Sequence, residues 1–183
     1  MNEPRVIVVP GLGGSPSGHW QTLWQSDHPE WTRFQPSSWN QPELADWASA
    51  LDRAVDQSES SAVLLAHSLG CLLALDFASR HPDKTSGLFL VAPPDPEGAT
   101  VPWEVKEFAA ATANLGPVQA PAVALTSTTD PYCAAERVPQ LCRRWGVASV
   151  VVGDAGHINV SSGHGPWADG YRAFTDFLRP LHT

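Results

Sequence analysis

The sequence predicts an α/β fold: a three-layer α/β/α sandwich around a mostly parallel sheet of about six strands. Three observations lead there. Short, continuously apolar runs rich in Val, Leu and Ala recur along the chain, as in strands covered on both faces. Stretches with apolar residues at helical spacing fall between these runs. The two kinds of segment alternate, which calls for right-handed crossovers that place helices on both sides of the sheet.

The first expected strand covers residues 5–9, and a weaker one is expected around residues 32–35. Residues 42–57 carry Leu44, Trp47, Ala48, Leu51 and Val55 at helical spacing, the mark of an amphipathic helix. A strand at 62–66 leads into residues 69–80, which are apolar on all sides and read as a buried helix. Further strands are expected at 87–92, 122–127 and 148–152, with helices at 104–114, 134–145 and 167–178. The longest irregular piece runs from 93 to 102, with prolines at 93, 94, 96 and 102. It follows a strand and suits a binding loop or a lid. No linker divides the chain, and its 183 residues suit one domain spanning 1–183.

Composition narrows the function classes. Hydrophobic residues make up 43% and charged residues 16%, a globular balance. The net charge of −8 argues against nucleic acid as a partner, because phosphate binding needs a basic patch. Apolar runs fall far short of the ~20 residues that a membrane helix needs. The first five residues lack the basic and apolar regions of a secretory signal. Cys71, Cys133 and Cys142 form no CxxC pair and are odd in number. Reduced thiols in a cytoplasm, packed as small apolar fillers, are the simplest reading.

The segment with the most chemistry is Ala66-His67-Ser68-Leu69-Gly70. It joins an apolar strand to an apolar helix. A sharp turn there lifts the serine hydroxyl above the carboxyl edge of the sheet, and it needs small residues two before and two after the serine. Ala66 and Gly70 meet that need, although glycine is the usual first residue. The bland alternative for Ser68 is a helix N-cap.

A serine nucleophile needs a base to take its proton. In the chain order Ser…Asp…His the base follows the last strand. His157 stands there, after Gly153-Asp154-Ala155-Gly156, with His164 as runner-up and His67 read as local packing. The acid that orients the imidazole is expected at Asp130, just past the strand at 122–127. Asp95 is the rival past another strand end, and Asp154 lies too close in sequence to His157. Two backbone N–H groups are expected to hold the oxyanion: Leu69, after the nucleophile, and Leu12, in the glycine-rich turn Pro10-Gly11-Leu12-Gly13-Gly14. That turn matches neither GxGxxG nor GxxxxGK[ST], so no nucleotide cofactor is expected. No histidine, cysteine and carboxylate spacing suggests a metal. Most of the eight tryptophans suit packing. Trp39 and Trp103, in expected loops, are the pocket candidates together with Gly11.

Taken together, Val9-Pro10-Gly11-Leu12-Gly13-Gly14, Gly18-His19-Trp20-Gln21, the Ser68 segment, Thr129-Asp130-Pro131, Gly156-His157-Ile158-Asn159 and Gly163-His164-Gly165-Pro166-Trp167 resemble the small α/β-hydrolases of the retinoblastoma-binding-type serine hydrolase family. The likeness is greatest to its bacterial branch and runs from about residue 5 to 178. It implies a minimal α/β-hydrolase fold without a large cap and a Ser68–Asp130–His157 triad. It also implies esterase-like or peptidase-like action on small ester or amide substrates, without a cofactor. The family's protein-binding role does not carry over, because the chain has no LxCxE and Leu69-Gly70-Cys71-Leu72-Leu73 falls in the expected buried helix. The competing readings are a hydrolase-fold binding protein with little catalysis and an acyltransferase to an acceptor other than water.

Overall fold

The computed structural model describes residues 4–99, 102 and 105–181. Six strands form one sheet: β1 (Arg5–Val9), β2 (Thr32–Arg33), β3 (Ala62–His67), β4 (Thr85–Val91), β5 (Ala122–Thr126) and β6 (Ala148–Val151). Their order is β2-β1-β3-β4-β5-β6, and every neighbouring pair is parallel. Side-chain alternation splits each central strand between two cores. Val6, Val8, Val63, Leu65, Phe89 and Val91 face one of them. Ile7, Val9, Leu64, Ala66, Leu88 and Leu90 face the other.

Helices cover both faces. α1 (Trp20–Asp27) and α6 (Ala168–Leu178) supply Trp20, Trp24 and Phe174 to the first core. α2 (Leu44–Val55), α3 (Leu69–Arg80), α4 (Lys106–Ala113) and α5 (Val138–Trp145) supply Trp47, Leu72, Phe108 and Trp145 to the second. The sheet order changes direction at β1, with β2 on one side and β3 on the other. Crevices at the carboxyl ends of strands flanking such a switch are where open α/β sheets bind ligands. The turn after β1 and Ser68 after β3 both lie at that edge.

Three sequence expectations need correction. The last strand is not covered on both faces: all four residues of β6 are exposed, and Val151 keeps 59% of its surface accessible. It is an edge strand, paired only with β5. A valine run therefore identified a strand without locating it in the sheet. Helix α5 begins at Val138 rather than at residue 134, because Ala134 to Arg137 closes a separate turn through an Arg137 N–H to Ala134 carbonyl bond. Helix α1 was not anticipated at all. It has eight residues, and a histidine occupies the N-cap where Ser, Thr, Asp or Asn is the usual signal.

The segment after β4 is tied down by charge. Arg137 grips Asp95 through Nε (2.6 Å) and Nη2 (3.1 Å), and Arg137 and Arg144 both bind Glu97. Burial alone would push the Asp95 carboxyl up, but hydrogen bonds from Arg137 and from the Glu97 N–H hold it below its ordinary value. A depressed carboxylate stabilises the fold above its ordinary pKa, and that support is lost as pH falls through the folded value. The Arg137→Ala variant is therefore expected to unfold at lower urea concentration than wild type at pH 7. The gap between the two should narrow below about pH 4 as Asp95 takes up its proton.

Candidate active site

Ser68 occupies the junction of β3 and α3 with φ 55° and ψ −126°. This left-handed conformation is costly for a residue with a Cβ and is typical of a nucleophile elbow. The expected N-cap alternative fails in its chemistry, since the Ser68 side chain makes no capping bond to the helix. The Ser68 N–H instead donates to the Val91 carbonyl at 3.0 Å, tying the turn to the end of β4. The tightness of the turn explains its neighbours. A Cβ at residue 70 would lie 2.2 Å from the Val9 carbonyl oxygen and 2.6 Å from that of Pro10. Only glycine lets α3 start this close to β1.

Ser68 Oγ lies 2.7 Å from His157 Nε2. On the other side of the ring, His157 Nδ1 lies 3.0 Å from both carboxylate oxygens of Asp130. A carboxylate only accepts, so Nδ1 carries the proton and Nε2 offers its lone pair to the serine hydroxyl. Asp130 is itself held by the Tyr132 N–H at 2.9 Å, and the Tyr132 ring stands edge-on to His157 with centroids 4.6 Å apart. The three side chains come from the ends of β3, β5 and β6, which the parallel sheet places along one edge.

The His157 loop is anchored at many points. The Ala155 and Gly156 N–H groups donate to Ser127 Oγ and Thr129 Oγ1. His67 Nε2–H donates to the His157 carbonyl at 3.0 Å, and Trp20 Nε1–H donates to the Ile158 carbonyl at 2.9 Å. Asn159 and Ser162 close a reciprocal capping box. His67, read from sequence as local packing, thus also positions the loop. Sequence reasoning missed Trp20, Ser127, Thr129 and Tyr132. The only available signal was proximity, since the last three flank Asp130.

The rival candidates lie elsewhere. Asp95 is engaged by Arg137, His164 Nδ1 meets Ser162 Oγ, and Asp154 accepts from Thr128 Oγ1. Leu12 and Leu69 both line a cavity with Ser68. Leu69 opens α3, where the first N–H groups have no intrahelical partner. Leu12 sits in a turn closed by the Gly14 N–H to Gly11 carbonyl bond, with Gly13 at φ 81°.

The pocket candidates fare less well. Gly11 does not line the cavity; it backs directly onto the nucleophile, where an added Cβ would lie 2.8 Å from Ser68 Cβ and 3.1 Å from the Leu69 nitrogen. Trp39 is not a pocket residue either. It covers Gly14, packs edge-on against Phe34 and Trp47, and accepts the Gly13 N–H through its carbonyl, so it braces the turn from behind. A large aromatic in a loop carries no sequence mark to say which side of that loop it will cover. Trp103 lies outside the described residues.

The cavity measures about 310 Å³ and its lining is mixed. Leu69, Leu72, Pro94, Pro102 and Val105 are apolar, while Ser15, His19, His67 and Asn159 supply polar groups. No Lys, Arg or Glu is among the described lining residues. Burial drives the His19 pKa from 6.5 to about 4, with the charges of Arg33 and His157 acting the same way. Burial also pushes His67 well below its ordinary value. Both rings are thus neutral at pH 7. The unfolded chain protonates them below about pH 6.5 while the native state does not, so their contribution is intact above that pH and fades as pH falls toward 4. Urea midpoints measured at pH 7.5 and pH 5 are expected to show this loss, with a shallower fall in His19→Asn.

The cysteines stand apart from the site chemistry. All three are buried free thiols, and burial pushes the Cys133 thiol up to about 12 and Cys71 higher still. Among the described residues, no group of three or more His, Cys, Asp or Glu is placed to hold a metal ion, and no helix is long and apolar enough to cross a membrane.

Comparison with known proteins places this geometry. The profile of a family described as serine hydrolase matches residues 6–176. The chain belongs to the serine hydrolase family. A protein described as a YdeN-like hydrolase from Pectobacterium atrosepticum is 29% identical, with a TM-score of 0.86 over 99% of this chain and 94% of that one. The ydeN gene product of B. subtilis is 20% identical, with a TM-score of 0.77 over 95% and 98%. Mouse alpha/beta hydrolase domain-containing protein 10 is 17% identical, with a TM-score of 0.76 over 100% and 93%. These last two likenesses speak to the fold alone. No curated protein matches the sequence. This serine hydrolase therefore has the compact α/β-hydrolase fold that the resemblance implied, built on the parallel sheet that its alternating segments suggested.

Proposed function

We propose that the protein hydrolyses small, uncharged ester or amide substrates through an acyl-enzyme on Ser68. The observation that carries this reading is the continuous hydrogen-bonded path from Ser68 Oγ through His157 to Asp130. Ser68 Oγ attacks the carbonyl carbon while His157 Nε2 takes its proton. The resulting imidazolium is stabilised by the Asp130 carboxylate. The Leu12 and Leu69 N–H groups, with the positive end of α3 behind Leu69, hold the oxyanion. His157 then protonates the leaving group, and water releases the acyl group by the same steps in reverse. The cavity, near the small end of ligand pockets, favours short acyl groups, and the lack of Lys, Arg or Glu among its described lining residues favours neutral ones. Within the wider family, the motifs support a place among the small hydrolases of the retinoblastoma-binding type, in the bacterial branch, acting in the cytoplasm as one domain.

Matched carboxylate variants test the assignment. Asp130→Asn is expected to lower kcat on p-nitrophenyl acetate by about 10⁴-fold, since it forces the wrong histidine tautomer. Asp95→Asn is expected to lower the urea midpoint and to alter kcat far less. A larger kcat loss in Asp95→Asn than in Asp130→Asn would overturn the acid assignment.

A further inference from the structure

One polar atom at the cavity is unaccounted for by this mechanism. His19 is buried and lines the cavity, yet its Nε2 has no hydrogen-bond partner among the described residues. Its tautomer is decided by its other nitrogen. Nδ1 accepts the Gln21 N–H at 3.2 Å to cap α1, so Nδ1 is unprotonated and the hydrogen of the neutral ring sits on Nε2. The fold therefore holds an N–H donor beside the cavity, itself covered in the unliganded protein, with nothing among the described residues to receive it. Native structures seldom leave a buried donor unpaired, and exceptions call for an explanation.

Several neighbouring polar groups of the lining are already committed. Ser15 Oγ donates to Gln21 Oε1, and Gln21 is anchored to the Leu65 carbonyl. His67 Nε2–H is bound to the His157 carbonyl, and Asn159 Oδ1 receives the Ser162 N–H. Behind the wall, Arg33 spends its donors on Gly14, Ser15, Thr22 and Gln25. His19 is also held firmly in place, its ring edge-on to His67 at 4.8 Å and tilted against Trp20 at 5.3 Å.

We propose that His19 is a specificity-determining residue whose Nε2–H donates to an uncharged oxygen on the substrate, an ether, hydroxyl or carbonyl oxygen beyond the scissile carbonyl. The inference rests on the serine-hydrolase reading above. It names the preferred substrate class as short esters or amides carrying an extra oxygen acceptor. An uncharged acceptor fits because no Lys or Arg is among the described lining residues and the ring is neutral. A plain hydrocarbon arm leaves the donor unpaired, and sites built to hydrogen-bond a substrate discriminate strongly against analogues that lack the bonding group.

The test compares matched esters that differ by one oxygen. Butyl butyrate is set against 2-methoxyethyl butyrate for the alcohol arm, and propyl pentanoate against propyl 3-methoxypropanoate for the acyl arm. The wild type is expected to favour the oxygenated member of at least one pair by about tenfold or more in kcat/KM. Two variants separate the two nitrogens of His19. His19→Asn keeps an acceptor for the helix cap but not the distal donor, and its ratio should fall to about one. His19→Gln keeps a distal N–H at the cost of the cap, and should retain the preference with a lower urea midpoint. A wild type that labels with a fluorophosphonate but shows no oxygen preference in either pair overturns this proposal alone, as does an unchanged ratio in His19→Asn. A wild type that neither labels nor hydrolyses any ester refutes the underlying hydrolase reading, and this proposal with it.

Discussion

Ser68→Ala is expected to lower ester hydrolysis by at least about 10⁴-fold, with the folded state retained. The size of the effect follows from the geometry. The serine hydroxyl is the atom that reaches both the substrate and His157, at 2.7 Å from Nε2. Without it no acyl-enzyme forms, and what remains is transition-state binding by the two backbone donors. His157→Ala should cost a similar factor, because the neutral hydroxyl is a poor nucleophile without its base. The double variant Ser68→Ala/His157→Ala should then be little worse than either single one, since the two groups act as a unit. Steady-state rates on p-nitrophenyl acetate for all three variants check this. Additive losses would mean that the two side chains act independently. Fold retention is expected because the Ser68 side chain caps nothing; alanine takes on only the strain of the positive φ that serine already bears.

The second large effect is on stability. Gly70→Ala is expected to destabilise the protein by about 3 kcal/mol or more, the upper end for overpacking, because its new methyl group meets backbone that cannot rotate aside. Its Cβ would stand 2.2 Å from the Val9 carbonyl oxygen. Either α3 moves away from β1 or the end of β1 moves away from α3. Both shifts separate the Leu12 turn from Ser68, so activity should fall in whatever protein stays folded. Gly116→Ala is the matched control: nothing lies within 4 Å of its added Cβ, and its effect should be within about 0.5 kcal/mol. Urea denaturation of both variants beside wild type decides the point. Equal stability would show that the elbow tolerates a side chain and that its glycine has another origin.

How far the sequence revealed this site depends on the range of the interactions involved. The strands at β1, β3, β4 and β5 were legible because central parallel strands must be apolar on both faces, and the runs around residues 5–9 and 62–66 are. The meeting of Ser68, Asp130 and His157 was legible because the parallel fold brings strand ends to one edge and so converts chain order into proximity. The choice of Asp130 over Asp95 was not fully determined. Both follow strands, and tertiary contacts separate them: Arg137 engages Asp95, while His157 meets Asp130.

Side-chain direction was the least legible property. Trp39 faces the back of the glycine-rich turn after β1, against Gly14, and nothing within the loop specifies that. The exposure of β6 follows from what lies beside it in the sheet, which a valine run does not encode. His19 stands before β2, far from Ser68 in the chain, so chain order does not mark it as a neighbour of the site. Its proposed role at the cavity depends on the Nδ1 cap of α1, a helix too short and too unusually capped to anticipate.

The central claim is that Ser68 is the nucleophile. The most direct measurement is peptide mapping by mass spectrometry after treating the wild-type protein with a fluorophosphonate at neutral pH. A single phosphonyl adduct on the peptide containing Ser68, absent from Ser68→Ala, is the expected result. No adduct on the folded wild type, or an adduct that maps to another serine such as Ser15 or Ser161, would contradict it.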